Sequence, residues 1–252
     1  MLKLVINGCN GKMGHVLVET AEKDPGVIVV AGVDKNIESY KNKFPVYSSI
    51  NEFEGSADVL LDFSRPEAIK PLLEYAVNTK TPLIVATTGI KEEDLQHIRE
   101  AAKHIPVFVS ANMSLGVLVM VEISKLAASI LGENFDIEIV DFHHNEKVDA
   151  PSGTALMLAD AINTQLDGDK YYVYGRNAEH GKRKPGEIGI HALRGGTYPG
   201  EHRVIFAGQD EIVEIKHLAL SRKIFAFGAL KAAKFLASQK EGLYNMNHLI
   251  KQ

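Results

Sequence analysis

The chain has 252 residues, 45% of them hydrophobic and 24% charged, with a formal net charge of -4; that length buries a core without staples, and that charge gives no broad attraction to nucleic acid or to an anionic membrane. Cys9 is the only cysteine, which excludes a disulfide framework or a cysteine-based metal site and favours a reducing compartment, so a cytoplasmic location is expected. No basic leader with an apolar signal core stands at the start of the sequence, which reads as mature.

From residue 1 to about 112, short β-rich apolar runs alternate with helical patterns, the rhythm of a parallel sheet covered by helices on both faces. Residues 2–6, 27–33, 58–63, 82–87 and 107–110 read as strands, and 66–77 and 92–103 as helices with apolar residues at three- and four-residue spacing. Lys91-Glu92-Glu93-Asp94 places acids at a helix start, where the dipole favours them. The order then changes. Residues 115–131 are the most apolar long stretch, but Glu122, Ser124 and Lys125 interrupt it and it is shorter than the roughly 20 apolar residues of a membrane span; it reads as a buried amphipathic helix. A strand over 136–142, a helix over 153–166 and antiparallel strands over 188–193, 202–207 and 211–217 follow, the make-up of an α+β layer. The Gly-flanked basic run 176–184 reads as a solvated loop, and the helix over 223–237 as a return to the first domain. The expected fold is α/β: a Rossmann-like domain of residues 1–112 plus about 220–252, and a second, α+β domain of residues 113–219.

Gly8-Cys9-Asn10-Gly11-Lys12-Met13-Gly14 follows the first strand directly and opens a helical run. Glycines there let the backbone turn tightly and approach a pyrophosphate, with free N–H groups of the helix start facing its charge. The spacing is GxxGxxG instead of GxGxxG, so position carries the reading more than the letters do; a ligand-free strand-to-helix turn is the alternative. The second strand ends at Asp34, 20 residues beyond Gly14, where a carboxylate can accept from the adenosine ribose hydroxyls. Lys35 follows at once and suits a 2'-phosphate, so both NADH and NADPH remain open. The other strand ends supply Ala86-Thr87-Thr88-Gly89 and Ser110-Ala111-Asn112-Met113, and loops at the carboxyl ends of parallel strands border the ligand crevice.

The densest polar constellation is Asp141-Phe142-His143-His144-Asn145-Glu146-Lys147-Val148-Asp149-Ala150-Pro151-Ser152-Gly153-Thr154-Ala155. Adjacent side chains on an extended strand point to opposite faces, so His143 and His144 suit different tasks. Histidine exchanges a proton near neutral pH, Lys147 adds a cation or second proton source, and the amides of Ser152-Gly153-Thr154 at a helix start can receive a carboxylate. A zinc site is the weaker reading, because adjacent histidines lack helical i, i+4 spacing, no cysteine supports them and Lys147 would oppose a dication; no metal is expected.

This segment resembles the signature ExHHxxKxDAPSGTA of the dihydrodipicolinate reductase family, with Asp141 where the family has Glu. The resemblance runs along the whole chain, through the glycine loop, Ala86-Thr87-Thr88-Gly89 (Ala86 where Gly is commoner), Ala111-Asn112-Met113-Ser114, Arg194-Gly195-Gly196 and Gly200-Glu201-His202. It implies reduction of a small cyclic dicarboxylate to tetrahydrodipicolinate by NADH or NADPH, in lysine and diaminopimelate synthesis. It implies proton transfer by His143 and Lys147, and substrate binding by His144, Gly153 and Thr154. Cofactor contacts are implied at Gly8, Cys9, Asn10, Gly11, Lys12, Met13, Asp34, Ala86, Thr87, Thr88, Ser110, Ala111, Asn112 and Met113, with Lys35 added on charge. It further implies a homotetramer built on the second domain's sheet, and a loop at 176–184 able to border the active site.

Overall fold

The computed structural model describes residues 1–249. They form two compact units, one from Met1–Leu115 together with the chain from Arg222 onward, the other Gly116–Ser221.

The first unit holds β1 (Leu2–Asn7), α1 (Lys12–Ala21), β2 (Val27–Val33), β3 (Val46–Tyr47), β4 (Val59–Asp62), α2 (Ile69–Thr79), β5 (Leu83–Val85), α3 (Glu92–Ala101) and β6 (Pro106–Val109). The returning chain adds α6 (Lys223–Leu236) and β12 (Gly242–Tyr244), numbered in chain order after the elements of the second unit. Its seven strands run in the order β12-β6-β5-β4-β1-β2-β3, and every neighbouring pair is parallel. The order reverses between β1 and β4, which places a ligand crevice at their carboxyl ends. Helices α2 and α3 cover the sheet face bearing Val5, Leu60, Leu83 and Val107. Helix α6 meets the other face, where Phe235 packs edge-on against Phe108, and α1 packs on α6. Strands β3 and β12, of two and three residues, are edge strands too short to leave a periodic pattern, and the sequence reading did not contain them.

The second unit holds α4 (Leu115–Leu131), whose first residue belongs to the first unit, then β7 (Asp136–His143), α5 (Gly153–Gln165), β8 (Tyr171–Tyr174), β9 (Glu187–Arg194), β10 (Glu201–Ala207) and β11 (Ile212–Leu218). The sheet order is β11-β10-β7-β9-β8. Residues of β9 and β10 were expected to be antiparallel neighbours. Instead β7 lies between them, antiparallel to β10 and parallel to β9, which is also parallel to β8. Apolar alternation fixes which face of a strand is buried and leaves its neighbour open.

Two further expectations are corrected. Helix α4 buries only one face, through Met120, Val121, Ser124 and Ala128, while Val119, Ile123, Leu126 and Ile130 are exposed; its apolar residues extend beyond the side that meets the sheet. The run 176–184 is not simply solvated. The Arg176 guanidinium reaches Glu138 at 2.9 Å and Glu187 at 2.8 Å, and Arg183 lies 3.1 Å from Asp136, so half-buried ion pairs hold both arginines to the sheet.

One strand does most to build the site. Along β7, Ile137 and Ile139 pack into the core under α4 and α5, and the same alternating row continues with buried Asp141 and His143. The period of two that fixes the core thereby delivers an acid and an imidazole, side by side, to the strand's carboxyl end.

Candidate active site

At the end of β7, His143 Nδ1 lies 2.9 Å from Asp141 Oδ1, and Asp141 is fully buried. Two more donors satisfy that carboxylate: the Ser152 amide at 2.7 Å to Oδ2, and Arg194 Nη1 at 2.6 Å to Oδ1. Burial alone would raise the Asp141 pKa, but His143, the Ser152 amide and Arg194 together outweigh it and hold the carboxyl below its usual range. An ionised Asp141 accepts a hydrogen bond from His143 Nδ1–H, leaving Nε2 as the nitrogen for chemistry.

Ser152 also caps α5, its Oγ accepting from the Ala155 amide at 3.2 Å, and the same Oγ lies 2.9 Å from His202 Nε2. His202 stands edge-on to the His143 ring, centroids 5.1 Å apart. Burial, and then the charge of His143, push its pKa down to about 3, so it is neutral in the folded chain near pH 7. Gly200, on the strand entry of β10, lies against His143: a Cβ built there would stand 3.0 Å from Nε2, and its φ of +151° is one that side chains rarely adopt. The segment is closed by Lys147, whose Nζ bonds Asp149 at 2.7 and 2.9 Å, and by Arg194, which also donates to the Asp149 carbonyl at 2.6 Å. His144 and Thr154 are half-buried and Gly153 exposed; β7 ends at His143, but the Asn145 amide still pairs with Gly196 O at 3.1 Å. Fixed imidazole, Lys147 in the following turn and the exposed Gly153 at the capped start of α5 make an arrangement able to hold an anion and deliver a proton.

Sequence reasoning gave the Ser152 amide to a carboxylate, which here is that of Asp141, and assigned no role to Arg194 or His202. The signal for His202 was present: it is in phase with the buried Val204 and Phe206 of β10, and a histidine on a core row must be partnered. Arg194 has no such signal, because its partner lies 53 residues away. Among the described residues, no group of three or more His, Cys, Asp or Glu is arranged to hold a metal ion.

In the first unit the glycine loop leads from β1 into α1, and no side chain caps that helix. A Cβ at Gly14 would lie 1.9 Å from the Gly8 carbonyl oxygen, so only glycine lets the helix start close onto the loop. Asp34 Oδ2 accepts from the Asn10 amide and Oδ1 from the Asn36 amide, each at 3.0 Å. Asn10 turns its own side chain away to bond Asn36 O at 2.6 Å and Asn42 at 2.9 Å. The Cys9 thiol is buried and pushed up to about 12, by burial first and the Asp34 charge second, so only the backbone of Cys9 borders the loop. Gly11, Lys12, Lys35, Thr88 and Ala111 are exposed, while Met13, Ser110 and Asn112 are half-buried. Ala86, Thr87 and Met113 are buried, and the Thr87 hydroxyl donates to Asp62 at 2.7 Å.

Residues 2–113 match the family model for the N-terminus of dihydrodipicolinate reductase, and residues 116–250 match that for its C-terminus. The chain belongs to the dihydrodipicolinate reductase family. It is 56% identical over 252 residues to the 4-hydroxy-tetrahydrodipicolinate reductase of Caldanaerobacter subterraneus subsp. tengcongensis, across 100% of this chain and 99% of the relative. The reductase of the same name from Clostridium novyi is 47% identical over 251 residues, with 100% and 99% covered. The structure of dipicolinate-bound dihydrodipicolinate reductase from Paenisporosarcina sp. TG-14 matches with a TM-score of 0.80 at 24% identity, across 97% of both chains; at that identity it establishes the fold, a Rossmann-like unit and a mixed-sheet unit.

Proposed function

We propose that the chain reduces 4-hydroxy-tetrahydrodipicolinate (dihydrodipicolinate) to tetrahydrodipicolinate with NADH or NADPH, in lysine and diaminopimelate synthesis. The observation that carries this reading is the buried Asp141–His143 pair beside the capped start of α5, in a chain matched by both halves of the reductase family model.

The residues of the first unit fit a dinucleotide: a helix start without a side-chain cap, the Gly14 close approach and Asp34 at the end of β2. Gly8, Cys9, Asn10, Gly11, Lys12 and Met13 would cradle the pyrophosphate, Asp34 would take the adenosine ribose and Lys35 a 2'-phosphate. Ala86, Thr87 and Thr88, with Ser110, Ala111, Asn112 and Met113, would border the nicotinamide. When bound, the reduced cofactor supplies the hydride.

His143 and Lys147 are assigned to proton transfer. Hydride addition to a conjugated ring leaves an enamine-like system that must take a proton at carbon, and His143, its Nδ1 held by Asp141, gives it from Nε2. Lys147 supplies a cation near the dianion. His144 and the Gly153 and Thr154 positions at the start of α5 hold the substrate carboxylates. Residues 1–112 plus about 220–252 form the dinucleotide domain and 113–219 the substrate and oligomerisation domain. A homotetramer is assigned on the sheet face turned away from α4 and α5, where Leu193, Ile212 and Leu218 are exposed. No described helix is long and apolar enough to cross a membrane, and the cytoplasm suits a chain with a single cysteine.

The test mixes the protein with freshly generated condensation product of aspartate semialdehyde and pyruvate, and follows NADH and NADPH oxidation. Consumption of cofactor is expected, and His143→Gln should reduce turnover by ~100- to 10,000-fold while leaving cofactor binding intact. No consumption of either cofactor by the wild type rejects the proposed reaction.

A further inference from the structure

Asp62, at the carboxyl end of β4, is fully buried and faces no cation in any hydrogen bond or ion pair described. It is held entirely by neutral donors. Asn7 Nδ2, from the end of β1, reaches Oδ1 at 2.8 Å; Ser64, just beyond β4, donates its hydroxyl at 2.5 Å and its amide at 3.2 Å to the same oxygen; and the Thr87 hydroxyl, beyond β5, reaches Oδ2 at 2.7 Å. Asn7 Nδ2 also donates to Ser64 Oγ at 2.8 Å. Three strand ends thus converge on one carboxylate, on both sides of the β1–β4 reversal where the crevice opens. Burial pushes the Asp62 carboxyl up while these donors oppose it.

A buried carboxylate without a charged partner is costly, by several kcal/mol unless well hydrogen-bonded, and an apolar residue would stabilise the same place more simply. Position suggests what it does. Asp34 marks the β2 side of the crevice as the adenosine side, so the nicotinamide half falls over β4 and β5. Asp62 lies beneath that half and fixes both loops leading out of those strands: residues 63–66 through Ser64, and the turn at 86–89 through Thr87, next to exposed Thr88. The Asn7 amide and the Ser64 and Thr87 hydroxyls donate inward, to Asp62 or Ser64, the longer 3.5 Å contact of the Ser64 hydroxyl to Arg65 O being secondary to its 2.5 Å bond to Asp62. What half-buried Ser64 offers outward is therefore a lone pair, suited to the amino end of a carboxamide.

We propose that Asp62 is a positioning residue for the nicotinamide half of the cofactor, setting the loops after β4 and β5 through Ser64 and Thr87. This rests on the dinucleotide reading of the first unit. Asp62→Asn keeps the shape but replaces one of the two acceptor oxygens with an NH2 donor, so whichever hydroxyl faces it, that of Thr87 at Oδ2 or that of Ser64 at Oδ1, must turn and the inward pattern is lost.

Dissociation constants would be measured for NADH, by its fluorescence, and for ADP-ribose, by calorimetry. ADP-ribose carries the adenosine and pyrophosphate but no nicotinamide. Asp62→Asn should weaken NADH by about 10-fold, the equivalent of one hydrogen bond, and leave ADP-ribose within about 2-fold. Thr87→Val should show the same selective loss and Thr87→Ser should restore wild-type binding, which keeps the test intact if Asp62→Asn does not fold. Unchanged NADH binding in the folded variants, or equal weakening of both ligands, overturns the proposal and leaves the dinucleotide reading standing. Failure of the wild type to bind NADH, NADPH or ADP-ribose overturns both.

Discussion

The Nδ1 nitrogen of His143 and the Oδ1 oxygen of Asp141 stand 2.9 Å apart at the end of one strand, with Arg194 and the Ser152 amide closing around the carboxylate. Because Asp141 is fully buried and held ionised, it sets the tautomer and angle of the imidazole. Asp141→Asn keeps the volume but replaces an acceptor with an amide. Hydrogen bonds to charged groups contribute about 1.5–3 kcal/mol, so turnover should fall about 10- to 100-fold with NADH affinity unchanged. Steady-state rates across pH, with cofactor titration, check this; wild-type turnover in the variant would remove Asp141 from the mechanism.

Gly200 is expected to be nearly as sensitive, for a steric reason. A methyl group there would press on His143 Nε2 at 3.0 Å and force a φ of +151° on alanine, a strain of order 1–3 kcal/mol. Gly200→Ala should lower turnover about 10-fold or more and leave the first unit's cofactor affinity intact. Equal losses in cofactor binding and turnover would show that the substitution acts through general misfolding instead.

Lys147 lies within a turn held by Asp149 and Arg194. A cation assigned both to the dianion and to proton delivery should affect two parameters together. Lys147→Ala is expected to raise the substrate KM and to lower kcat, each by about 10-fold or more. A change confined to KM would reduce Lys147 to a binding group.

His202 links the site to acid stability. Its folded-state pKa falls from 6.5 to about 3 through burial, so the unfolded chain binds more protons between those values. Its contribution is fully present above about 6.5 and lost as pH falls toward about 3, at up to about 1.4 kcal/mol per pH unit. His202→Gln should flatten the acid limb of urea-denaturation stability measured between pH 7 and pH 4. Parallel limbs for the two proteins would place the acid sensitivity elsewhere.

Lys35 is exposed beside Asp34, whose two oxygens already accept the Asn10 and Asn36 amides. If Lys35 meets a 2'-phosphate, Lys35→Ala should weaken NADPH by about 10-fold and barely change NADH. Direct titration of both cofactors decides it, and equal effects would reject the phosphate contact.

The sequence by itself was enough for the alternating strands and helices of the first unit, for the glycine loop between β1 and α1, and for the polar segment from Asp141 to Thr154. Each is written in local periodicity or in contiguous residues, which a reader of the chain meets together. Tertiary structure decided what distance in the chain conceals. The insertion of β7 between β9 and β10 depends on strand pairing, which a buried face does not specify. Arg194 reaches Asp141 across 53 residues, His202 reaches Ser152 across 50, and Thr87 meets Asp62 across 25. A buried polar side chain must find a partner wherever the fold brings one, so the identity of these partners follows from packing; the sequence determined only that Asp141 and His143 would share a face.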